Sequence, residues 1–208
     1  MTETQAALNV LDERTMDPDP IKQFRQWFEI ALGSQLLLPE AMTLATATPG
    51  GKPSARMVLL KHVDERGFVF YTNYESRKGK ELAANPVASL VFYWAELNRQ
   101  VRVEGNVAKV SAEESDEYFS TRPRDSQLSS LTSAQSKIVT NREDLDRRFE
   151  DLKKQYEGKP IPRPSQWGGY RLKPVNIEFW QQRYARLNDR VLYERGSNGK
   201  WSVKRLAP

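Results

Sequence analysis

Met42-Thr43-Leu44-Ala45-Thr46-Ala47-Thr48, Pro49-Gly50-Gly51-Lys52 and Ser54-Ala55-Arg56-Met57-Val58-Leu59-Leu60-Lys61-His62 form the stretch that decides the class of fold. Its flanks have the strand-like period, and the Pro-Gly-Gly-Lys tetrad between them is turn chemistry joining antiparallel neighbours. Working outward, residues 64–67 (Asp-Glu-Arg-Gly) make a second turn and 68–73 the next strand. Residues 88–94 and 100–110 are two more β-rich runs, and 175–181, 190–194 and 201–206 complete the set. Helices intervene where capping chemistry appears. Asp17-Pro18-Asp19-Pro20 starts a helix that runs to about Gly33, with Phe24, Trp27, Phe28, Ala31 and Leu32 at helical spacing. Ser76 caps a helix over 77–84 that Asn85-Pro86 ends, and Ser111-Ala112-Glu113-Glu114 is a capping box for one reaching about Thr121. Another begins near Arg124, and 141–155 is charged and amphipathic, with Leu145, Phe149 and Leu152 on its apolar face. Many short strands with peripheral helices predict a mainly β protein, a closed antiparallel barrel with helices packed outside. Residues 1–16 lack periodicity and read as a flexible arm, and 17–208 as one domain.

Composition removes several kinds of chemistry. The chain has 208 residues, enough for one domain with a sizeable core, and no cysteine, so disulfides, thiolate metal sites and a cysteine nucleophile are excluded. His62 is the only histidine, which excludes a histidine-rich metal centre. The net charge of +5 is spread singly or in pairs among acids, a pattern that favours discrete anion sites over a nucleic-acid track. Neither a secretory leader nor an 18-residue apolar span is present, so a cytoplasmic protein with no membrane partner is expected. No strand–GxGxxG–helix unit suggests a Rossmann domain.

Four groups of residues carry candidate chemistry, each with a plainer reading beside it. Arg56 and Lys61 bracket an apolar strand, and strict alternation points them to opposite faces; they are either wet strand ends or anion ligands at a barrel rim. Ser76-Arg77-Lys78 opens a helix, where backbone N–H groups, a hydroxyl and two cations suit a phosphate. Tyr118, Arg122 and Ser126 are spaced four and four, but Pro123 makes a helix-to-helix corner of them: a phosphate cradle or an exposed turn. Gln100, Gln135 and Ser136 read as solvated polar side chains and Trp180 as a core aromatic, or all four as ligand contacts.

Taken in order, these motifs resemble one family. Ile177-Glu178-Phe179-Trp180-Gln181 followed by Arg186-Leu187-Asn188-Asp189-Arg190 resembles the C-terminal pattern of the pyridoxamine 5′-phosphate oxidases. So do Arg56–Lys61, Tyr71-Thr72, Ser76-Arg77-Lys78, Arg99-Gln100-Val101, Tyr118-Phe119, Arg122-Pro123-Arg124-Asp125-Ser126, Gln135-Ser136, Trp167-Gly168-Gly169 and Arg205-Leu206-Ala207-Pro208. The resemblance implies a split β-barrel homodimer with FMN at the subunit interface. Carried over residue by residue, FMN falls to Arg56, Met57, Val58, Leu59, Leu60, Lys61, Tyr71, Thr72, Arg77, Lys78, Gln100, Gln135, Ser136, Trp180 and Arg190. The substrate, a phosphorylated B6 vitamer, falls to Lys61, Tyr118, Arg122 and Ser126 at its phosphate and to Arg186 and Asn188 over its ring, the last two as the catalytic pair. The implied reaction oxidises C4′ of pyridoxamine or pyridoxine 5′-phosphate by hydride transfer to the flavin. Molecular oxygen reoxidises the flavin and yields hydrogen peroxide, with pyridoxal 5′-phosphate as the product.

Two positions depart from the family's pattern. Asn188 stands where a histidine is usual; it keeps donor and acceptor capacity but cannot titrate near neutral pH. The first 16 residues lack the family's Leu-Arg-x-x-Tyr-like segment, with Arg14 their only basic group. Two other readings compete: a related flavin oxidase of another reduced aromatic compound, such as a dihydrophenazine, and a non-catalytic flavin, pyridoxal phosphate or nucleic-acid binding module. The first of these has no use for four phosphate ligands, and the nucleic-acid version predicts a basic, aromatic face that the sequence does not display.

Overall fold

The Pro49–Lys52 tetrad turns the chain as its composition requires: Gly51 takes φ +80°, and Thr48 and Lys52 close the turn with backbone hydrogen bonds. On either side, β1 (Ala41–Ala47) and β2 (Pro53–Leu59) pair antiparallel, with Leu44 opposite Arg56 and Thr43 opposite Met57. The structure, a computed structural model, describes residues 10–208. The remaining strands are β3 (His62–Asp64), β4 (Gly67–Asn73), β5 (Val87–Trp94), β6 (Arg99–Lys109), β7 (Trp167–Gln181), β8 (Asp189–Arg195) and β9 (Trp201–Arg205). The helices are α1 (Pro20–Leu32), α2 (Arg77–Ala84), α3 (Ala112–Thr121), α4 (Arg124–Thr132) and α5 (Arg142–Gln155). None is long and apolar enough to cross a membrane.

All nine strands belong to one antiparallel sheet of order β2-β1-β5-β6-β7-β4-β3, with β8 and β9 continuing from β7. The two ends of that path, β2 and β3, are consecutive in the chain and joined only by Leu60 and Lys61. A sheet whose edges are linked by two residues has to curl. At the seam the backbone changes partner: Leu60 N–H donates to Glu40 O (2.9 Å) and Lys61 N–H to Val69 O (2.9 Å). Among the described residues no ladder pairs β2 with β3 or β4, so the barrel is split there rather than closed by a continuous ladder. The strand expected over 54–62 therefore ends at Leu59, and a separate short strand begins at His62.

β7 is the other difference. It is 15 residues long and begins at Trp167, whereas the sequence suggested a strand only from Val175. Pro174, which cannot donate to a ladder, is tolerated because the register with β6 shifts between Glu104 and Gly105, opposite it. A Cβ on Gly105 would lie 2.1 Å from Lys173 O, so the bulge needs that glycine.

α1 covers the barrel core. Asp19 accepts from Ile21 N–H (2.9 Å), Pro20 occupies the first turn, and the helix buries Ile21, Phe24 and Trp27. Phe24 meets Phe68 and Phe92 with ring centroids 4.8 and 4.9 Å away, and Trp27 meets Phe179 at 5.1 Å. A second apolar cluster, Phe119, Leu128, Ile161 and Trp167, fastens the α3–α5 layer outside β4 and β7. Of the arm expected over 1–16, residues 1–9 lie outside the described residues. The described part is tethered: Leu11 is buried, its N–H donates to Asp189 (3.2 Å), and Arg205 holds Glu13.

Buried Glu81 pins α2 to the barrel, accepting from Thr46 and Ser54 (both 2.5 Å) and pairing with Arg77 (2.9 Å) and Arg56 (3.4 Å). Burial raises its pKa, but the hydrogen bonds from Ser54, Thr46 and Arg77 outweigh that and hold it at about 2, below the ordinary 4.5. The charged form therefore contributes stability that is whole above about pH 4.5 and is lost as pH falls towards about 2. Glu81→Gln is expected to unfold at lower denaturant than the wild type at pH 7, with the gap narrowing between those limits. A gap that stays constant across the window would show that the charge is not what stabilises.

Candidate functional site

β2, β4 and helices α2 to α4 surround a cleft of about 390 Å³. Its walls are Met57, Val58, Leu59 and Lys61 from β2 and the seam, Tyr71, Thr72 and Asn73 from β4, and Lys78 from α2. Tyr118 and Arg122 come from the α3–α4 corner, with Ser129, Ser130, Ser133, Gln135 and Trp167 completing it. Lys78 is delivered by the first turn of α2, whose start is set by Ser76. The Ser76 hydroxyl accepts from Gly79 N–H (3.3 Å) and donates to Asn73 O (2.7 Å). That hydroxyl is thus spent on the cap. Arg122 is fixed by Pro123, which ends α3 at Thr121 and lets α4 begin at Arg124, forming the corner that the sequence predicts.

An aromatic stack forms one side of the cleft. Tyr71, Tyr118 and Trp167 cluster with their rings near parallel, Tyr71 4.0 Å from Tyr118 and 5.4 Å from Trp167 between centroids, and the last two 6.3 Å apart. Gly169 leaves room for the cluster, since a Cβ there would fall 2.8 Å from the Tyr71 ring. Burial pushes the Tyr71 phenol up to about 12, so it remains a neutral donor.

Among the described residues the cleft holds three cations, Lys61, Lys78 and Arg122, and no carboxylate lines it. Neutral oxygens hold two of them. Lys78 Nζ donates to Gln135 Oε1 (3.0 Å) and Thr72 Oγ1 (3.2 Å), and Arg122 Nη1 to Ser130 Oγ (2.6 Å). The Arg122 guanidinium also sits 4.6 Å from the Trp167 ring centre. Burial lowers the pKa of both cations, helped at Lys78 by the nearby charge of Arg56. A bound anion would relieve that cost.

The residues singled out from sequence fall into two sets. Met57, Val58, Leu59, Lys61, Tyr71, Thr72, Lys78, Tyr118, Arg122 and Gln135 line the cleft. Around it, Leu60 is buried in the core, exposed Ser136 follows Gln135 at φ 71°, and Arg56 and Arg77 are engaged by Glu81. Ser126 lines a neighbouring groove between α4 and α5 instead.

The second set lies at the far end of the sheet. Gln100, Trp180 and Arg190 stand side by side on β6, β7 and β8, and Arg190 is clasped by Glu178 (2.9 and 3.1 Å) and by Ala207 O (3.0 Å). Exposed Arg186 is in the single helical turn Tyr184–Arg186 at φ 63°, and Asn188 Oδ1 closes that loop by accepting from Arg183 N–H (2.9 Å). Along β7, Trp180 is 11 and 12 residues from Gly169 and Gly168, which pair with Tyr71 and Thr72 of the cleft, roughly 36–40 Å at about 3.3 Å per residue. One chain does not unite them. Strand registers nevertheless place Met57, Thr43, Val91, Tyr93, Gln100, Trp180 and Arg190 on the same outward face of the sheet, with Met57 61% and Tyr93 60% exposed.

Reading the sequence alone missed Asn73, Trp167, Ser129, Ser130 and Ser133 as cleft residues. For the serines a signal existed: Ser126, Ser129, Ser130 and Ser133 recur at the spacing of one helix face just after Arg122.

Comparison with known proteins accords with this geometry. The family model described as pyridoxamine 5′-phosphate oxidase matches residues 28–156, and that of the pyridoxine 5′-phosphate oxidase C-terminal dimerisation region matches 167–208. A pyridoxine/pyridoxamine 5′-phosphate oxidase of Nostoc punctiforme is 58% identical over 97% of this chain and 94% of its own. One of Rubrobacter xylanophilus is 59% identical over 95% and 91%. Among solved structures, PhzG from Burkholderia lata in complex with tetrahydrophenazine-1-carboxylic acid superposes with a TM-score of 0.90 at 33% identity, covering 96% of this chain and 98% of that one. A pyridoxamine 5′-phosphate oxidase-related, FMN-binding protein of Nostoc punctiforme shares the fold, with a TM-score of 0.75 at 19% identity over 93% and 100% of the two chains.

An anion bound at Arg122 would stabilise the fold by mass action. Inorganic phosphate is therefore expected to raise the melting temperature of the wild type, and Arg122→Ala to weaken its apparent affinity by about tenfold or more. An equal thermal response in the two proteins would place the anion elsewhere.

Proposed function

The chain belongs to the pyridoxamine 5′-phosphate oxidase family, and from that premise we propose that it is an FMN-dependent oxidase converting pyridoxamine or pyridoxine 5′-phosphate to pyridoxal 5′-phosphate. The observation that carries the reading is the cleft itself: three cations, no carboxylate and an aromatic wall. Such a donor set fits phosphorylated aromatic ligands, the vitamer and a flavin mononucleotide alike. When bound, FMN supplies the two-electron acceptor for C4′, and molecular oxygen takes the electrons on to hydrogen peroxide.

The chain's own residues bind and orient. Lys78, Thr72 and Gln135, with the backbone of β2, would hold the flavin. Arg122, Tyr118 and Lys61 would take the substrate phosphate, with Ser126 in the neighbouring groove. Gln100, Trp180 and Arg190 complete the flavin site from the second copy of a homodimer, and Arg186 and Asn188 of that copy cover the substrate ring. The C-terminal dimerisation region and the shared outward face of both residue sets support this two-subunit arrangement. Dimer formation then excludes water where the ring reacts.

In this site Asn188 orients rather than transfers protons. Its Oδ1 is committed to the Arg183 N–H, which leaves its amide N–H groups for the substrate and keeps Arg186 in its left-handed turn. Asn188→His is expected to change turnover by less than about a hundredfold, the lower end of general acid–base effects, while introducing a titration near pH 6.5 into the rate profile. A larger gain would mean that proton transfer at this position limits the wild type.

A reduced phenazine as substrate is the second reading, favoured by the ligand named for the Burkholderia lata structure. Aerobic incubation of FMN-loaded protein with pyridoxine 5′-phosphate and with pyridoxine, following aldehyde and peroxide together, separates the two. A strong preference for the phosphorylated compound is expected. Equal turnover of both would sink the proposal, and a colourless protein that takes up no FMN would remove every flavin reading.

A further inference from the structure

We propose that Ser130 is a positioning residue for the substrate phosphate, acting through Arg122, and that it suits the task because its oxygen is neutral. This rests on the phosphate-binding reading of the cleft. Ser130 is on the second turn of α4, and its hydroxyl donates to Ser126 O one turn back (3.1 Å). With its proton so committed, the oxygen turns a lone pair towards Arg122, whose Nη1 donates to it at 2.6 Å. The guanidinium is thereby fixed at two points, at its edge by Ser130 and across its face by Trp167, 4.6 Å from the ring centre. Among the described residues no carboxylate pairs with Arg122, so its charge and its other N–H groups stay available to a ligand.

The alternatives at this position would act differently. A carboxylate would orient the guanidinium equally well but cancel the charge that draws a phosphate. A methyl group would leave the charge but release the guanidinium to other rotamers, so binding would carry an ordering cost. A hydroxyl back-bonded to its own helix orients without neutralising. Gln135 and Thr72 hold Lys78 in the same manner, so the second cation of the cleft follows the same rule. Ser126 contributes to Arg122 through its carbonyl, by way of Ser130.

The test compares wild type, Ser130→Ala, Ser130→Thr and Ser130→Asp, all FMN-loaded. Calorimetry measures binding of 4-deoxypyridoxine 5′-phosphate, which has no oxidisable C4′ substituent, and of unphosphorylated 4-deoxypyridoxine. Steady-state kinetics with pyridoxine 5′-phosphate give KM and kcat separately. Ser130→Ala is expected to weaken the phosphorylated ligand about tenfold, the loss of one hydrogen bond to a charged group, and to raise KM by a similar factor with kcat little changed. The unphosphorylated ligand should bind all four proteins alike. Ser130→Thr should restore tight binding, since it returns the hydroxyl, and Ser130→Asp should bind the phosphate more weakly than Ser130→Ala. Wild-type affinity in Ser130→Ala, an equal loss for both ligands, or tight phosphate binding by Ser130→Asp would each overturn the proposal. A wild type that does not distinguish the two ligands sinks the phosphate reading first and this inference with it, and that failure is visible before any variant is compared.

Discussion

Leu60 and Lys61 impose the constraint from which the rest of the architecture follows. They connect β2 to β3, the two opposite ends of the sheet path, so the strands between must curve until those ends meet. Curvature produces the interior that Phe24, Trp27 and the barrel aromatics fill, and it brings β2 beside β4 without a ladder between them. The alternation of β2 carries on through the seam. Lys61 joins Met57 and Leu59 at the cleft, while Arg56 faces the other way into the Glu81 cluster. One short link thus brings the sheet edges together and opens the cleft beside the seam, and strand alternation sorts two cations into different environments.

That sorting is the electrostatic theme of the molecule. Arg56 and Arg77 share buried Glu81, an arrangement that holds α2 against the barrel and leaves both with a charge partner. Lys78, adjacent in sequence to Arg77, points into the cleft, where among the described residues it donates to amide and hydroxyl oxygens, as Arg122 donates to Ser130. Desolvating an unpaired cation is costly, and a protein sustains it where a ligand supplies the missing charge. Within a few residues, then, the structure separates cations that stabilise the fold from cations kept ready for an anion.

Much of this was legible in the chain because the signals are local. Asp19, Ser76 and Ser111 accept the backbone N–H groups that capping patterns assign to them. The Pro123 corner and the Pro49–Lys52 turn are equally local. The start of β7 was hidden because Pro174 argues against a strand, and only the bulge opposite it, on a strand some 70 residues earlier, makes room. The seam was hidden because Leu60 looks like one more strand residue until its N–H is seen to bond Glu40 rather than continue the ladder.

By itself the sequence determined the elements, their caps and turns, the ordered motifs that mark the family, and the residue types able to hold a phosphate. These depend on neighbours within a turn or a strand. Only the tertiary structure decided which cations keep a carboxylate and which do not, that Ser130 rather than Ser126 meets Arg122, and that the β4 wall of the cleft and the Gln100–Trp180–Arg190 set lie at opposite ends of β7. Those outcomes depend on which distant segments share a surface, and spacing along the chain does not encode that.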